Sequence, residues 1–524
     1  MDNCKKWNCL DNDRVNIIKY AEEYCKIDVE VLLKGYEKFC KDIQIVSELD
    51  LDNYMTISQL SQDFYKNQGC YNGVSELSGI PREYIQKCMV GGRVMTRQNK
   101  KQFVKGRIQD FDAVSLYPSA MIRLGGLLCG PPKVLENKTY QFLEKCDGYF
   151  IQIKILKVNK EKNKSFPLMS RIDENGGRLW TNDMENRIMY VDKTTLEDLI
   201  NFQGIEFEII DGYYYDEGRN YKLKETTEHL FNERLKQKKD KNKIEKIYKL
   251  IMNSCYGKNL LKPIETESKF IIGEDNLDQQ LIRNYNNHKQ TKEYNFGDET
   301  NDYTTYKMDI IKPINEHFNY SPCGVEILSM SKRIMNEVMC LADENDIPIY
   351  YQDTDSLHID EKNIKPLSKL YKNKYDRDLI GKMTGQFHSD FDSGICDEKS
   401  IHSKLFIGLG KKVYMDLLSD DEGNIDYHIR MKGVSGKSVK YHSKKDNIKI
   451  EELYEKLYNN ETYGFDLACN GMNPCFEGKN DGSIHSKDEF YRIICFEPDV
   501  ETKKRKIKVR KENLEKCKKN KIIL

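Results

Sequence analysis

The 524-residue sequence is poor in several features, and each absence excludes a class of protein. It has two tryptophans, and no apolar run is long enough to span a membrane, so no membrane partner is expected. Its first residues, MDNCKKWNCLDND, lack the apolar segment of a secretory signal. The sixteen cysteines are scattered without a C-x-x-C pair, and Cys4 and Cys9 are the closest two. This predicts an intracellular, reducing compartment and no zinc site.

Net charge gives no sign of a particular partner. Lysine and arginine number 84, and aspartate and glutamate also number 84. The distribution is less even, because residues 503–521 read KKRKIKVRKENLEKCKKNK. Such a stretch either holds phosphate groups or forms a solvated tail.

The hydrophobic pattern mixes helices and strands over a length that suits two to four domains. Apolar residues recur at helical spacing in residues 1–48 and again in EILSMSKRIMNEVMCLA, which leads into the strand IPIYY. GRIQDFDAV predicts a strand that runs into a helix at SLYPSAMI. Residues 148–158 and 204–215 predict further strands. Residues 220–256 predict a basic helical region, and residues 260–322 are polar, without long periodicity, and look inserted.

The segment YQDTDSLHI, residues 351–359, predicts a β-hairpin, because apolar residues flank a short polar turn. The turn presents Asp353 and Asp355 on the same side. Two carboxylates so close repel one another unless cations lie between them. Magnesium suits that arrangement, since it prefers carboxylate and phosphate oxygens. Aspartate is also common in turns for its own backbone hydrogen bonds, so this motif alone has a purely structural interpretation.

Two further motifs add chemistry to the hairpin. In DFDAVSLYPS, Asp112 lies where an apolar strand ends, and Asp110 is a competing candidate two residues earlier. The strand-to-helix turn that follows exposes N–H groups that can meet phosphate. In KLIMNSCYGK, Lys249, Asn253 and Tyr256 share one helix face, which could grip a triphosphate while the ring stacks on a base. A strand-end aspartate and a solvated basic helix are the structural alternatives.

Together the three motifs form a specific pattern. D-x-x-S-L-Y-P, K-x-x-x-N-S-x-Y-G and Y-x-D-T-D-S occur in this order, and the sequence thereby resembles the family B DNA polymerases. It is most similar to their protein-primed group, the organellar and viral type found in phages, viruses and linear plasmids. K-x-Y at Lys412 and Tyr414, and MVGGRV at residues 89–94, extend the resemblance to nearly the whole chain.

The resemblance implies an α+β fold, a right hand of palm, fingers and thumb. The domain boundaries that follow from it are an exonuclease remnant at 1–48, a linker at 49–105, palm with a first insertion at 106–219, fingers at 220–260, a second insertion at 261–322, palm at 323–400, and thumb with a basic tail at 401–524.

The resemblance also implies roles for individual residues. Asp112 and Asp355 are the expected main metal ligands, with Asp353 assisting, and Tyr117 is expected to reject ribonucleotides. The implied nucleotide-binding residues are Ser115, Leu116, Tyr117, Arg234, Lys238, Lys249, Asn253 and Tyr256. The implied DNA-binding residues are Gly91, Gly92, Arg93, Gly257, Tyr351, Thr354, Lys412, Tyr414 and Lys432.

The implied activity is template-directed addition of deoxynucleotides to a DNA 3′ end in the replication of a viral or plasmid-like genome. The implied cofactors are two Mg²⁺ ions, with Mn²⁺ as a substitute. The implied partners are template-primer DNA, deoxynucleoside triphosphates and a terminal priming protein, which the first insertion would grip while the second would encircle template. The expected location is the cytoplasm of an infected cell, a viral replication site or a mitochondrion.

The sequence departs from the family pattern in two places. Of the three exonuclease motifs only the last is visible, as Tyr24 and Asp28 in YCKIDV, so we expect no proofreading by this chain alone and a separately encoded exonuclease half. Met89 stands where the linker motif of the family has an aromatic residue.

Two other functions compete with this prediction. A reverse transcriptase also carries carboxylates on a palm hairpin, but there the aspartates are adjacent, unlike those of D-T-D-S. A decayed, non-catalytic DNA-binding module is the alternative from another class. The intact Asp112, Asp353, Asp355, Lys249 and Tyr256 argue against decay.

Overall fold

The computed structural model describes residues 2–11, 14–174, 176–262, 264–298, 301–391 and 401–466, and four short strands beyond them. The chain forms two compact units. The first comprises Met1–Glu83, Met121–Pro131 and Asp216–Gly324, and the second comprises Tyr84–Ala120, Pro132–Tyr215 and Val325–Leu524.

The α-helices are numbered in chain order. They are α1 Asp2–Lys6, α2 Ile17–Ser47, α3 Ile57–Asn67, α4 Gly79–Gln86, α5 Leu116–Leu124, α6 Tyr140–Leu143, α7 Lys193–Asp198, α8 Lys222–Lys239, α9 Glu245–Asn259, α10 Glu274–Arg283, α11 Ser321–Glu344, α12 Glu361–Tyr375, α13 Gly436–Lys445 and α14 Ile450–Tyr458. Among the described residues, no helix combines the length and apolar character needed to cross a bilayer.

The strands are numbered in the same way. Those before residue 216 are β1 Leu10–Asp11, β2 Arg14–Val15, β3 Val94–Thr96, β4 Gln102–Ala113, β5 Leu127–Leu128, β6 Lys133–Val134, β7 Gly148–Val158, β8 Ser170–Ile172, β9 Arg178–Trp180, β10 Ile188–Asp192 and β11 Ile205–Tyr215. Those after it are β12 Arg219–Asn220, β13 Thr266–Ile272, β14 His288–Asp298, β15 Asn301–Ile311, β16 Ile349–Asp353, β17 Ser356–Asp360, β18 Phe387–Ser389, β19 His402–Gly410, β20 Val413–Ser419, β21 Ile425–Met431, β22 Tyr463–Asp466, β23 Phe476–Gly478, β24 Ile484–Ser486, β25 Tyr491–Phe496 and β26 Arg505–Lys508.

The second unit is built on one large antiparallel sheet. Its strand order is β21–β20–β19–β4–β17–β16–β3, and β18 also pairs with β4. The long strand β4 joins the sheet together, because it pairs with β17 near its carboxyl end and with β19 near its amino end. Strands β19 to β21, which the sequence assigned to the thumb, therefore continue the same sheet as the predicted palm strands.

A separate four-stranded sheet forms within the second unit from the region predicted as the first insertion. Its order is β10–β7–β11–β6, and α7 follows β10. Apolar side chains that alternate along β7, such as Ile151, Ile153 and Ile155, are fully buried in its core. The strands predicted at 148–158 and 204–215 are confirmed.

The first unit is mainly helical. Helix α3 packs on α9, where the Ser61 hydroxyl donates to the Ile251 carbonyl at 2.6 Å and Gln62 donates to Asn259 at 2.7 Å. The polar region 260–322 is more ordered than its composition indicates. It contains the sheet β13–β15–β14, and Leu277 and Leu281 of α10 pack against the buried Met308.

A buried ion pair holds the four-stranded region to α11 within the second unit. The Arg333 Nε atom lies 2.7 Å from an Asp198 carboxylate oxygen, and Asn336 donates to the other oxygen at 2.9 Å. Burial raises the pKa of Asp198 to about 6, although the charge of Arg333 opposes the shift. The carboxylate thus depends on Arg333 for its charge partner.

We expect Arg333→Met to lower the free energy of unfolding by about 3 kcal/mol, because it leaves Asp198 buried without its cation. The measurement is urea unfolding followed by circular dichroism. Arg107→Met is the matched control, since Arg107 is 49% exposed and pairs with Glu361 and Asp421 at the surface. That change should cost less than about 1 kcal/mol. Equal losses in both variants would contradict this account of the pair.

Candidate active site

Asp112 is the second-last residue of the central strand β4. The chain then turns at Ser115, whose φ of 46° is left-handed, and enters α5. The Ser119 hydroxyl donates to the Val114 carbonyl at 2.8 Å and so closes this turn. The strand and the helix predicted from GRIQDFDAV and SLYPSAMI are both confirmed, and they fix Asp112 at the end of a buried strand.

The predicted hairpin is also confirmed, as β16 and β17. Asp353 pairs in register with Ser356, and Ser356 pairs in register with Asp112 on β4. Residues directly opposite one another in an antiparallel sheet point to the same face, at about 5 Å between neighbouring Cβ atoms. Asp353, Ser356 and Asp112 therefore form one row across three strands.

Asp355 lies in the two-residue turn that joins these strands. The Ala113 N–H donates to the Asp355 carbonyl at 2.8 Å, so the ends of β4 and the hairpin are in direct backbone contact. Burial raises the pKa of the Asp355 carboxyl, and the nearby charge of Asp353 raises it further. Thr354 has a φ of 63°, which is unusual for a β-branched residue and marks a constrained turn.

Lys412 neutralises one carboxylate of the hairpin. Its Nζ atom lies 3.0 Å and 3.2 Å from the two Asp353 oxygens, and its side chain is half exposed. The Lys412 N–H donates to the Tyr351 hydroxyl at 3.0 Å, so the lysine is anchored by its backbone as well. The primer-contacting residue suggested by K-x-Y is thus adjacent to Asp353 in the structure.

The predicted metal ligation by Asp112, Asp353 and Asp355 stays a prediction. No three histidine, cysteine, aspartate or glutamate side chains in the described parts of the chain are grouped so that they could hold a metal ion. Asp353 is instead paired with Lys412. Asp112 and Asp355 provide oxygen donors, which magnesium prefers, and the half-buried Asp355 carboxylate would gain from a cation. These two residues fit a divalent cation by the chemistry of their side chains.

Gly92 is packed against the hairpin turn. A Cβ atom at Gly92 would lie 2.5 Å from Thr354 Cγ2, whereas one at Gly91 would meet nothing within 4 Å. The Arg93 carbonyl accepts from the Thr354 N–H at 2.9 Å, and β3 then pairs with β16. The segment predicted as a DNA-binding linker is thus part of the scaffold of the hairpin.

Arg93 is turned into the protein, which corrects its predicted contact with DNA. It is 3% exposed, and its guanidinium donates to the side chains of Gln352 at 2.6 Å and Asn336 at 2.8 Å. Burial lowers its pKa to about 10. Tyr351 and Tyr414 are buried too, with their rings 4.7 Å apart. These three side chains support the hairpin from within the core.

Exposed cations remain where DNA contacts were predicted. Lys432 is exposed, and its N–H donates to the Lys412 carbonyl at 3.2 Å, so the two basic residues come from adjoining turns. Gly257 is exposed near the end of α9. Ser115 and Tyr117, which follow Asp112 in the sequence, are half-buried. Leu116 is buried and belongs to the core.

The other predicted nucleotide-binding residues belong to the first unit. On α9, Ile251 and Cys255 face the core, whereas Lys249, Asn253 and Tyr256 lie on the opposite side of the helix. Lys249 and Lys238 are exposed. The Nε atom of Arg234 is 3.2 Å from a Glu245 oxygen, so this cation is already paired.

Tyr24 and Asp28 lie one turn apart on α2. The charge of Asp28, followed by its hydrogen bond, raises the pKa of the Tyr24 hydroxyl. The two side chains therefore interact within α2, and their predicted exonuclease origin stays a prediction.

Sequence reasoning missed the supports of the strand end. The Val114 N–H donates to the Gln386 carbonyl at 2.8 Å, and the Gly385 N–H donates to the Ser119 hydroxyl at 2.9 Å. It also missed the buried His358 behind the hairpin. The segment around Gln386 carries no motif, but a histidine inside the apolar strand SLHI was a visible signal.

The fold resembles that of a solved polymerase. Phi29 DNA polymerase in a complex with primer-template DNA and incoming nucleotides superimposes with a TM-score of 0.55 at 18% identity, over 86% of this chain and 69% of that chain. The binary complex with primer-template DNA gives 0.54 at 17% identity, over 85% and 68% of the two chains. At such identities the likeness shows the fold, and the predicted α+β polymerase fold is confirmed.

The sequence also matches a family model over residues 1–345, described as DNA polymerase type B, organellar and viral. This chain belongs to that family, as its motifs predicted. A DNA polymerase of Kluyveromyces lactis is 24% identical over 475 residues, and a probable DNA polymerase of Neurospora intermedia is 24% identical over 459 residues. Each alignment covers 86% of this chain and 42% of the relative, so the chain spans about two fifths of their length.

We expect Gly92→Ala to destabilise the protein by about 1–3 kcal/mol, because the new methyl group overlaps Thr354. Gly91→Ala is the control, since its Cβ atom would meet open space, and it should change stability by less than about 0.5 kcal/mol. Unfolding midpoints in urea would compare the two. Adding Thr354→Ser to Gly92→Ala removes the overlapping Cγ2 atom and should recover part of the loss. A Gly91→Ala loss as large as that of Gly92→Ala would contradict the packing argument.

Proposed function

We propose that this protein is a DNA-directed DNA polymerase that adds deoxynucleotides to a primer 3′ end. The observation that carries the proposal is the register of β4, β17 and β16, which brings Asp112 beside the Asp353–Asp355 turn. The family match over residues 1–345 supports the same activity. So do the bound primer-template and nucleotides of the phi29 enzyme with the similar fold.

Asp112 and Asp355 are the residues that would hold two Mg²⁺ ions in this proposal, with Asp353 assisting. Mg²⁺ bound there would supply Lewis-acid chemistry to the primer 3′-hydroxyl and to the pyrophosphate leaving group. The half-buried position of Asp355 excludes part of the solvent, which strengthens its attraction for a cation. Lys412 holds Asp353 at 3.0 Å and so limits the positions that this carboxylate can take.

The residues that the family resemblance implies would recognise the nucleotide. In the first unit, the exposed Lys249 and Lys238 would bind triphosphate oxygens as point charges. Tyr256 would stack on a base from the same face of α9. In the second unit, Tyr117 would exclude a ribose 2′-hydroxyl from the turn that follows Asp112.

DNA binding in this proposal depends on phosphate contacts, while base pairing with the template determines the sequence. Lys412, whose Nζ atom pairs with Asp353, and Lys432, whose N–H donates to the Lys412 carbonyl, are exposed cations beside the hairpin. Initiation from a terminal protein, gripped by the four-stranded sheet of β6, β7, β10 and β11, is the finer form of the proposal. An initiation assay with a candidate terminal protein would test it through a covalent protein–nucleotide adduct.

Asp355→Asn should abolish extension of a primed DNA template, with a rate loss of at least about 10³-fold, or roughly 4 kcal/mol. The physical reason is the loss of one of the two carboxylates that face the proposed cations. Asp376→Asn is the control, because Asp376 is fully exposed and lies at the end of α12, the helix that follows the hairpin in the chain. Single-nucleotide extension by rapid quench measures the rate.

The outcome separates the competing functions. If Asp355→Asn extends DNA as well as the parent, the proposed site is wrong. If the parent itself binds primer-template but extends no primer, the chain is a non-catalytic DNA-binding module. Faster extension on an RNA template than on DNA would favour a reverse transcriptase.

Lys249→Ala should raise the KM for deoxynucleoside triphosphates by about tenfold, equivalent to about 1.4 kcal/mol of binding. The lysine is exposed on α9 and would lose one charge contact with a triphosphate. Lys224→Ala removes a similarly exposed lysine near the start of α8 and serves as the control. Steady-state extension at varied nucleotide concentration gives KM and kcat. Equal KM values for the two variants would refute the assignment.

A further inference from the structure

A buried histidine lies behind the proposed catalytic hairpin. His358, on β17, has no exposed surface. Its ring centroid is 4.6 Å from that of Phe406, 5.4 Å from that of Tyr414 and 5.6 Å from that of Tyr351. An apolar side chain would fill such an aromatic box without the cost of burying polar atoms. The choice of histidine therefore requires a polar reason.

Two buried carboxylates supply that reason. The His358 Nε2 atom is 3.1 Å from an Asp416 oxygen, and Nδ1 is 3.6 Å from an Asp110 oxygen. Asp416 is fully buried. The second acid, Asp110, lies on β4 directly opposite His358 in the sheet. Burial tends to lower the pKa of His358, but the charges of Asp416 and Asp110 outweigh it and raise the pKa. The imidazole ring of His358 thus lies between two acids.

The neighbouring histidine does not share this role. His428 Nδ1 lies 3.8 Å from the same Asp416 oxygen, but burial lowers the pKa of His428 to about 4. At neutral pH it is uncharged. Of the two histidines, His358 is therefore the one whose pKa the neighbouring carboxylates raise.

The bridge joins strands that the sheet itself keeps apart. In the strand order, β4 and β19 lie between β17 and β20, so no backbone hydrogen bond links the hairpin strand to β20. Yet His358 on β17 contacts Asp416 on β20, because the sheet curls. Asp416 is two residues beyond Tyr414 and four beyond Lys412, which pairs with Asp353.

We propose that His358 is a positioning residue that, through Asp416 and Asp110, holds the Lys412 turn and the end of β4 in register with the Asp353–Asp355 hairpin. It touches no reacting group and acts through the strands that it joins. A buried ion cluster contributes little net stability, but it favours one arrangement over others. The expected effect on primer extension rests on the proposed polymerase function. The expected effect on the position of the strands rests on geometry alone.

The kinetic test is His358→Gln, which keeps a polar side chain of similar length and loses the charge. We expect kcat for primer extension to fall by at least about 30-fold, while the KM for nucleotide changes by less than about twofold, since the first-unit nucleotide residues are untouched. Ile359→Val is the control, because it trims a neighbouring, fully buried side chain of β17 and leaves the bridge intact. If kcat falls as much in Ile359→Val as in His358→Gln, then His358 only fills the core.

A second variant tests the bridge itself. If His358 and Asp416 act as one unit, His358→Gln combined with Asp416→Asn should lose no more activity than the worse single variant. If the activity loss of the double variant equals the product of the losses of the two single variants, the two residues act independently. That result overturns the proposal.

Hydrogen exchange provides a readout that needs no activity. In His358→Gln, amides of residues 411–418 and 349–358 should exchange at least about tenfold faster than in the parent, and in Ile359→Val they should not. Unchanged exchange in His358→Gln would overturn the positioning role. If the parent extends no primer, the proposed function fails, and the exchange result still decides whether His358 positions these strands.

Discussion

The structure of the candidate site depends on one strand register. Ser356 of β17 pairs with Asp112 on one side and with Asp353 on the other, and the Asp355 carbonyl accepts from Ala113 at 2.8 Å. A shift of one residue would turn Asp112 to the other face of the sheet, because side chains alternate along a strand. The surrounding contacts, from Gly92 beneath Thr354 to Arg93 on Gln352, all serve to fix this register.

Charge around the hairpin is distributed in two layers. At its surface Lys412 pairs with Asp353, while behind it His358 lies between Asp416 and Asp110. Asp355 is half-buried and beside the like charge of Asp353, so a cation would stabilise its ionised form. This difference explains why Asp353 and Asp355, only two residues apart, have unequal roles in the proposal.

The relation to known polymerases is clear in fold and limited in extent. The chain matches its family over residues 1–345, and it spans about two fifths of the curated relatives. The two regions predicted as insertions contain folded elements, a four-stranded sheet and the three-stranded sheet of β13–β15–β14. Composition hid the second of these, because one side of that sheet packs on α10 while the other side is open to solvent, with Phe270 and Ile272 exposed.

The sequence by itself determined the family, the hairpin, the strand that carries Asp112 and the helix that carries Lys249, since each depends on local periodicity and short motifs. Tertiary structure decided what each side chain faces. The sequence predicts Arg93 to be a DNA-binding cation, but the side chain is buried. Gln352 and Asn336, which are distant in sequence, bind its guanidinium. Asp353 pairs with Lys412, which lies 59 residues further along the chain, and the motif that predicts the aspartate gives no sign of that pairing. Such pairings arise only when separate strands meet, which no local pattern encodes.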